Sequence, residues 1–404
     1  MNQEKFTENE GMRKLVVKRI TALQTVARKE YVLKLARTGE GSLAIRGDEW
    51  DKDEMLLGVQ NGVIDLKTGE LRPGRPDDYI KTAAPCRYYG LDYTAPTWER
   101  FLAEIFGNDK DLVNYVQRLL GYGITGKSNN HKLPIFWGPQ GRNGKGTILE
   151  TLKFVLGELI HKTRAEALMT SRYPPPRGAA DADTIAFRGK RIIWASETGD
   201  GKALDAERIK ELSGGDTLNA RAPYGKRSVE FSPTHLLILL TNNRPKAPAQ
   251  DDALWDRLHL VPFNLRYIDD PRESNERLVD HDLPEKLKKE APGIMAWLVR
   301  GCLQWQQIGL APPEIVKATT QEYRKDEDEI RQFIADICDR VGNEDIPVKR
   351  LHEMYRTWHH EMGLTGEPMS MKKLSPRIVS LGYERNDTGR IVYFKGIGSK
   401  AVDA

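Results

Sequence analysis

The chain has 404 residues, more than one ordinary domain needs, and its 62 Lys and Arg against 58 Asp and Glu leave a formal net charge of +4. No molecule-wide positive field therefore marks it for nucleic acid, and any basic surface must be local. Its 3 cysteines, Cys86, Cys302 and Cys338, stand far apart without metal-ligand spacing, which excludes a disulfide framework and suits a reducing cytosol.

The N-terminal stretch MNQEKFTENEGMRKL lacks an apolar secretory core, and nowhere does a run of about 18 apolar residues occur, so a soluble protein with no membrane partner is expected. Helical spacing covers the chain to about residue 30, as in Met12–Ile20. Short strands follow, with Asn61-Gly62 between apolar runs as a hairpin signal. Trp98 to Tyr122 reads as one helix closed by Gly121 as a C-cap. From about 131 to 265 the order is strand, glycine loop, helix, strand, helix, hairpin, strand, that of a three-layer α/β nucleotide-binding core. Its strand candidates Leu133–Trp137, Ile192–Ala195 and Leu236–Leu240 are almost wholly apolar, as strands covered on both faces are. Leu283–Gln306 is helical again, and Ala311-Pro-Pro313 separates it from an acidic-basic helix around Tyr323–Arg340.

The tail places a strand at Ile346–Val348, helices at Lys349–Met362 and Ser370–Leu381, and a hairpin from Tyr383 to Phe394, the order of a winged helix. Its second helix carries Lys372, Lys373 and Arg377 without an acid among them, which fits phosphate neutralisation. Three parts are expected: a mixed accessory domain over 1–130, an ATPase core over 131–330 and a winged-helix-like domain over 331–404.

Gly138-Pro-Gln-Gly-Arg-Asn-Gly-Lys-Gly-Thr147 lies between an apolar strand and an apolar-periodic helix. Such a turn aims backbone N–H groups and the helix dipole at one point, where a triphosphate fits. Gly138, Gly141, Gly144 and Gly146 leave room for phosphate oxygens, Arg142 and Asn143 lie between them, and Lys145 supplies a compact charge. Five residues rather than four separate Gly138 from Gly144, which leaves Gly138 or Gly141 for the turn position. Gly146 occupies the usual place of a Mg2+-holding hydroxyl, so Thr147 is the nearest candidate. The partner element is a buried strand ending in acid, and Arg191-Ile-Ile-Trp-Ala-Ser-Glu197 supplies Glu197 as general base and Ser196 as a water-mediated metal contact. The bland alternative is a strand-capping glutamate facing solvent.

Five segments in this order, GRNGKGT, IIWASE, IKELSGGDTLNARAPYGKRSVEFSP, LLILLTNNRPKAP and DDALWDRLHLVPF, resemble the motifs of superfamily 3 helicases of the phage, plasmid and poxvirus-type primase-helicase branch. LLGVQNGVIDLKTGELRPGRPDDY and VQRLLGYGITG resemble the region before the motor in that branch. The resemblance implies a P-loop AAA+-like core using ATP and Mg2+, and a homo-oligomeric, hexameric ring on single-stranded or forked DNA moving 3′ to 5′. It also implies phage or mobile-element replication in a bacterial cytoplasm, with a separate primase as a candidate partner. By position, Asn242 matches the family's sensor asparagine and Arg257 its arginine finger, offered to the neighbouring subunit. Lys226 and Arg227 fall at the tip of its DNA-contacting hairpin. Asp216 matches the family's GGD, although a turn-forming role is simpler, and Lys210 is left without a role. Two alternatives stay open: an ATP-switched initiator that does not unwind, and a nucleotide kinase-like phosphotransferase.

Overall fold

The computed structural model describes residues 10–38, 42, 49–171, 181–196, 201–225, 227–339, 345–364 and 367–399, and it divides into two units, Met1–Lys52 and Asp53–Ala404. In the first, helices Glu10–Leu23 and Val26–Ala36 are separated by Thr25, whose hydroxyl accepts from the Arg28 N–H at 3.4 Å and so starts the second helix. Helix thus extends past the expected end near residue 30.

The second unit is built on a five-stranded parallel sheet in the order Leu258–Pro262, Leu133–Trp137, Leu236–Thr241, Ile192–Ser196, Ile160–Arg164. Side chains alternate between its faces. Phe136, Trp194, Ile238 and Leu240 enter one core, while Ile135, Ile193, Leu237 and Leu239 enter the other. Both faces are covered, which is why these strands read as unbroken apolar runs. Ile160–Arg164 escaped the sequence reading because IHKTR, at the sheet edge, buries only Ile160 and Thr163.

Ahead of this sheet, Leu56–Val59 pairs antiparallel with Gly62–Asp65, Val59 opposite Gly62. The expected hairpin is present, but its turn is Gln60-Asn61, and Gly62 begins the returning strand. The Asn61 amide fixes the turn by donating to the Tyr88 carbonyl at 2.8 Å and accepting from the Tyr88 N–H at 3.0 Å.

The stretch Trp98–Tyr122 is two helices, Pro96–Ile105 and Lys110–Gly123. Gly107 and Asn108 both take positive φ between them, and Asp109 caps the second by accepting from the Leu112 N–H at 3.0 Å. Gly121 is therefore no C-cap. It lies inside the second helix, where a Cβ would stand 2.2 Å from the Cys302 backbone nitrogen. Gly301 answers it, since a Cβ there would lie 2.1 Å from the Gln117 carbonyl. Two small residues let helix Lys110–Gly123 cross helix Ala291–Ile308 backbone to backbone. Gly121→Ala is expected to push the helices apart and cost about 1–3 kcal/mol or more, as overpacking does. Urea unfolding measures this, and parental stability would mean the crossing yields freely.

No seam appears at residue 130. One core runs from Met55 to Val316. The Arg191 guanidinium donates to the Glu54 and Leu56 carbonyls at 3.3 and 3.2 Å, and Glu290 caps helix Pro96–Ile105 by accepting from the Thr97 and Trp98 N–H groups at 3.0 Å each. Residues 53–130 are thus built into the sheet domain, contrary to a boundary at 130.

The expected helices Leu283–Gln306 and Tyr323–Arg340 are each broken. The first is Leu283–Lys289 and Ala291–Ile308, the second Glu314–Asp326 and Glu329–Ile337, with Asp328 capping the latter. Beyond them, strand Asp345–Pro347, helices Val348–Glu361 and Met371–Ser380, and strands Arg385–Asp387 and Val392–Lys395 follow the winged-helix order. This part has its own core around Phe333, Leu351, Tyr355, Trp358 and Phe394. Among the described residues no helix is long and apolar enough to cross a membrane.

Candidate nucleotide-binding site

The glycine loop follows the carboxyl end of strand Leu133–Trp137, and helix Lys145–Leu156 begins inside it at Gly144, whose φ of 85° favours glycine. The glycines serve different ends. A Cβ on Gly138 would stand 2.3 Å from Asn143 Nδ2 and 2.5 Å from the Phe263 carbonyl, whereas one on Gly141 or Gly146 would meet nothing within 4 Å. Gly138 lets the buried Asn143 fold back and donate to the Gln140 carbonyl at 2.6 Å, and Gly141 and Gly146 face open space. Arg142 is exposed, with its carbonyl accepting from the Tyr267 N–H at 2.8 Å.

Lys145 is only 6% exposed. Its Nζ donates to Asn242 Oδ1 at 2.9 Å and to the Gly138 carbonyl at 3.3 Å, both neutral, and no carboxylate pairs with it among the described residues. Burial alone lowers its pKa to about 8. A buried cation without a counter-ion, at a helix N-terminus, is a site for an anion. Asn242 reaches it because strand Leu236–Thr241 runs beside Leu133–Trp137, Thr241 opposite Trp137. The two residues thus meet across 97 positions of sequence.

The loop after Thr241 is clamped. The Trp137 indole donates to the Asn242 carbonyl at 3.1 Å, and the Arg244 guanidinium lies 4.2 Å from the Trp137 ring centre. Arg244 also pairs with Asp326 at 2.8 Å, and the Tyr323 hydroxyl donates to the Pro245 carbonyl. Sequence reading missed these positioning residues, which carry no motif.

It also missed a cavity of about 710 Å³ beside Gly144 and Thr147. Phe101, Tyr267 and Leu283 give it apolar walls, and Arg100, Glu104 and Asp280 give it polar ones. The buried Tyr267 hydroxyl has no hydrogen-bond partner among the described residues. Such a volume suits a nucleoside-sized group. Thr147, half-buried, lies between this cavity and the loop.

Ser196 ends its strand opposite Leu240 and is partly buried; Glu197 lies outside the described residues, as does Lys226. Among the described residues no group of three or more acids, histidines or cysteines is placed to hold a metal.

Arg257 sits at the other end of the sheet. Its backbone carbonyl accepts from the Leu133 N–H at 2.8 Å and its guanidinium donates to the Ala253 carbonyl at 2.6 Å. Hairpin Leu218–Ala220 with Val229–Phe231 leads into the start of strand Leu236–Thr241, far from the glycine loop. Arg227 is exposed beside its tip, and Tyr224 at the apex is wholly exposed. Lys210 is occupied by Glu207 at 2.7 Å and Asp251 at 3.3 Å, and Asp216 is exposed. In the winged part Lys372 and Lys373 are exposed, while Arg377 is held at 2.6 Å by the buried Asp328.

Residues 2–107 match the family described as D5 N terminal like, and residues 136–257 match a family of unknown function, DUF5906. "Putative helicase L207/L206" of Acanthamoeba polyphaga mimivirus is 31% identical over 342 residues, covering 80% of this chain and 35% of that protein. "Putative helicase 022R" of Frog virus 3 (isolate Goorha) is 24% identical over 385 residues, with 77% and 39% covered. This chain therefore spans little more than a third of these relatives' length. Among solved structures, the apo C-terminal region of NrS-1 is similar at 15% identity and a TM-score of 0.45, covering 76% of this chain and 78% of that one. Over about four-fifths of its length the chain is thus similar to viral proteins named putative helicases, and over residues 2–107 to the family described as D5 N terminal like.

Proposed function

We propose that the chain is an ATP-driven DNA helicase motor of the superfamily 3 type, working as a ring in the replication of viral or mobile-element DNA. The buried, acid-free Lys145 in contact with Asn242 carries the nucleotide half of this reading. The DNA half rests on the relatives' names and on a hairpin whose tip offers Tyr224 and Arg227 to solvent.

In this reading the β- and γ-phosphates of ATP lie over Gly141 to Gly146 with Lys145 beneath them, and the base and sugar enter the cavity walled by Phe101 and Tyr267. Bound Mg2+ would supply charge neutralisation, with Thr147 and Ser196 on its side of the site. Asn242 orients the attacking water or γ-phosphate, Glu197 takes the water's proton, and Arg257 acts on a neighbour's nucleotide.

Proton linkage gives a direct check. With Lys145 near pKa 8 in the free site and an ordinary value of 10.5, a bound triphosphate raises the pKa again. Binding should take up a proton at about pH 8.5, where phosphate itself is already ionised, take up almost none at pH 6.5, and weaken as pH rises above 8. Without ligand the sign reverses: between about 8 and 10.5 the unfolded chain holds more protons, so stability rises with pH over that window. Calorimetry of ATP binding in two buffers of different ionisation heat measures the uptake; none at pH 8.5 would mean that Lys145 does not face the anion.

Strand displacement on forked DNA tests the motor itself and separates it from an ATP-switched initiator. Replacing both Lys226 and Arg227 by alanine should keep basal ATPase, lose stimulation by single strands, and lower the salt slope of binding by about 0.7 log units per lost phosphate contact. Unwinding should stop. Parental unwinding by this variant would show the hairpin to be idle.

A further inference from the structure

Between the start of helix Met371–Ser380 and strand Val392–Lys395 of the winged part lies a groove of about 660 Å³. Its floor is apolar. Met371 is 43% and Ile391 56% exposed, beside Val348, Pro376 and Val392. Around it stand Lys349, Lys372, Arg385 and Arg390, and among the described residues no carboxylate lines it. Arg385 has Asp387 at 3.9 Å; the other three make no ion pair among the described residues.

The sequence pattern suggested that Lys372, Lys373 and Arg377 neutralise DNA phosphates. Arg377 is closed off on Asp328, and the free cations ring an apolar floor instead of following one helix face. A phosphate backbone would satisfy the cations but leave Met371 and Ile391 uncovered. A peptide with apolar anchors between carboxylates satisfies both.

We propose that this groove docks an acidic segment of a partner protein, its apolar side chains on Met371 and Ile391 and its carboxylates on Lys349, Lys372 and Arg390. This goes beyond the motor reading and does not depend on the nucleotide site. The recognised chemistry is charge complementarity around a small exposed apolar patch.

The test is fluorescence anisotropy on the full chain with three labelled probes: a short peptide carrying two phenylalanines among aspartates, the same peptide with serine for phenylalanine, and a DNA duplex. The phenylalanine peptide should bind at least about tenfold more tightly than its serine counterpart. Ile391→Asp and Arg390→Glu should each weaken it about tenfold, with thermal unfolding unchanged because both residues are exposed. Equal binding of the two peptides, no binding, or insensitivity to Ile391→Asp would overturn the proposal. Displacement of the peptide by duplex, with duplex binding lost in Arg390→Glu but kept in Ile391→Asp, would assign the surface to DNA instead.

Discussion

Lys145→Ala is expected to give a folded chain in which ATP turnover falls by at least about 10² to 10³, the range for loss of one preorganised donor to developing charge. The fold should survive because the ammonium holds nothing together: it meets only two neutral oxygens and is buried at a cost that depresses its pKa. In the absence of nucleotide at neutral pH the variant should therefore be no less stable than the parent, unlike most losses of a buried side chain. Asn242→Ala should also reduce turnover, and the double variant should lose less than the sum, since the two share one hydrogen bond. Steady-state ATPase and a thermal melt on each protein decide the matter. Near-parental turnover in a folded Lys145→Ala chain would remove the phosphate loop from the mechanism.

Arg257→Ala should cost about 10³ to 10⁵ in rate, the usual worth of an arginine finger, yet without touching its own subunit's nucleotide. The sheet sets this. Leu258, next to Arg257, pairs with Leu133, and the loop begins only after Trp137, paired with Pro262. The full length of a five-residue strand, roughly 13–17 Å at about 3.3 Å per residue, separates the guanidinium's anchor from the phosphates in one subunit. Mixing inactive Arg257→Ala with inactive Lys145→Ala chains should therefore restore activity, at about a quarter of head-to-tail interfaces in an equal random mixture. No recovery in mixed rings shown to form would eliminate action across the interface.

The three central strands were legible in the sequence because both faces are covered and their residues are almost all apolar; Ile160–Arg164 was not, because this edge strand keeps polar side chains. The winged-helix order could be read from turn and helix periods that are local. Breaks inside long apolar-periodic stretches were missed: at Gly107-Asn108 the apolar spacing continues past the interruption, and only a cap at Asp109 marks it. At the site, the loop and Asn242 were readable as motifs, but their hydrogen bond is a product of strand adjacency. The Trp137–Arg244 stack and the cavity beside Thr147 were not readable at all, since each gathers residues from distant segments. The Arg377–Asp328 pair was unreadable for the same reason, the acid lying 49 positions away in sequence.

The glycine-to-glycine crossing of helices Lys110–Gly123 and Ala291–Ile308 constrains how this chain can exchange parts with its relatives. A recombination break between residue 123 and residue 291 would pair one parent's Gly121 surface with the other parent's answering helix. Such chimeras stay viable only where both parents keep the same small residues at the crossing, or where the two helices are inherited together. Helix Lys110–Gly123, which lies just past the family match at residues 2–107, is thus not part of a cassette. Its lineage is tied to a helix almost two hundred residues downstream, and the two should change in step across relatives even where the glycine loop between them does not change at all.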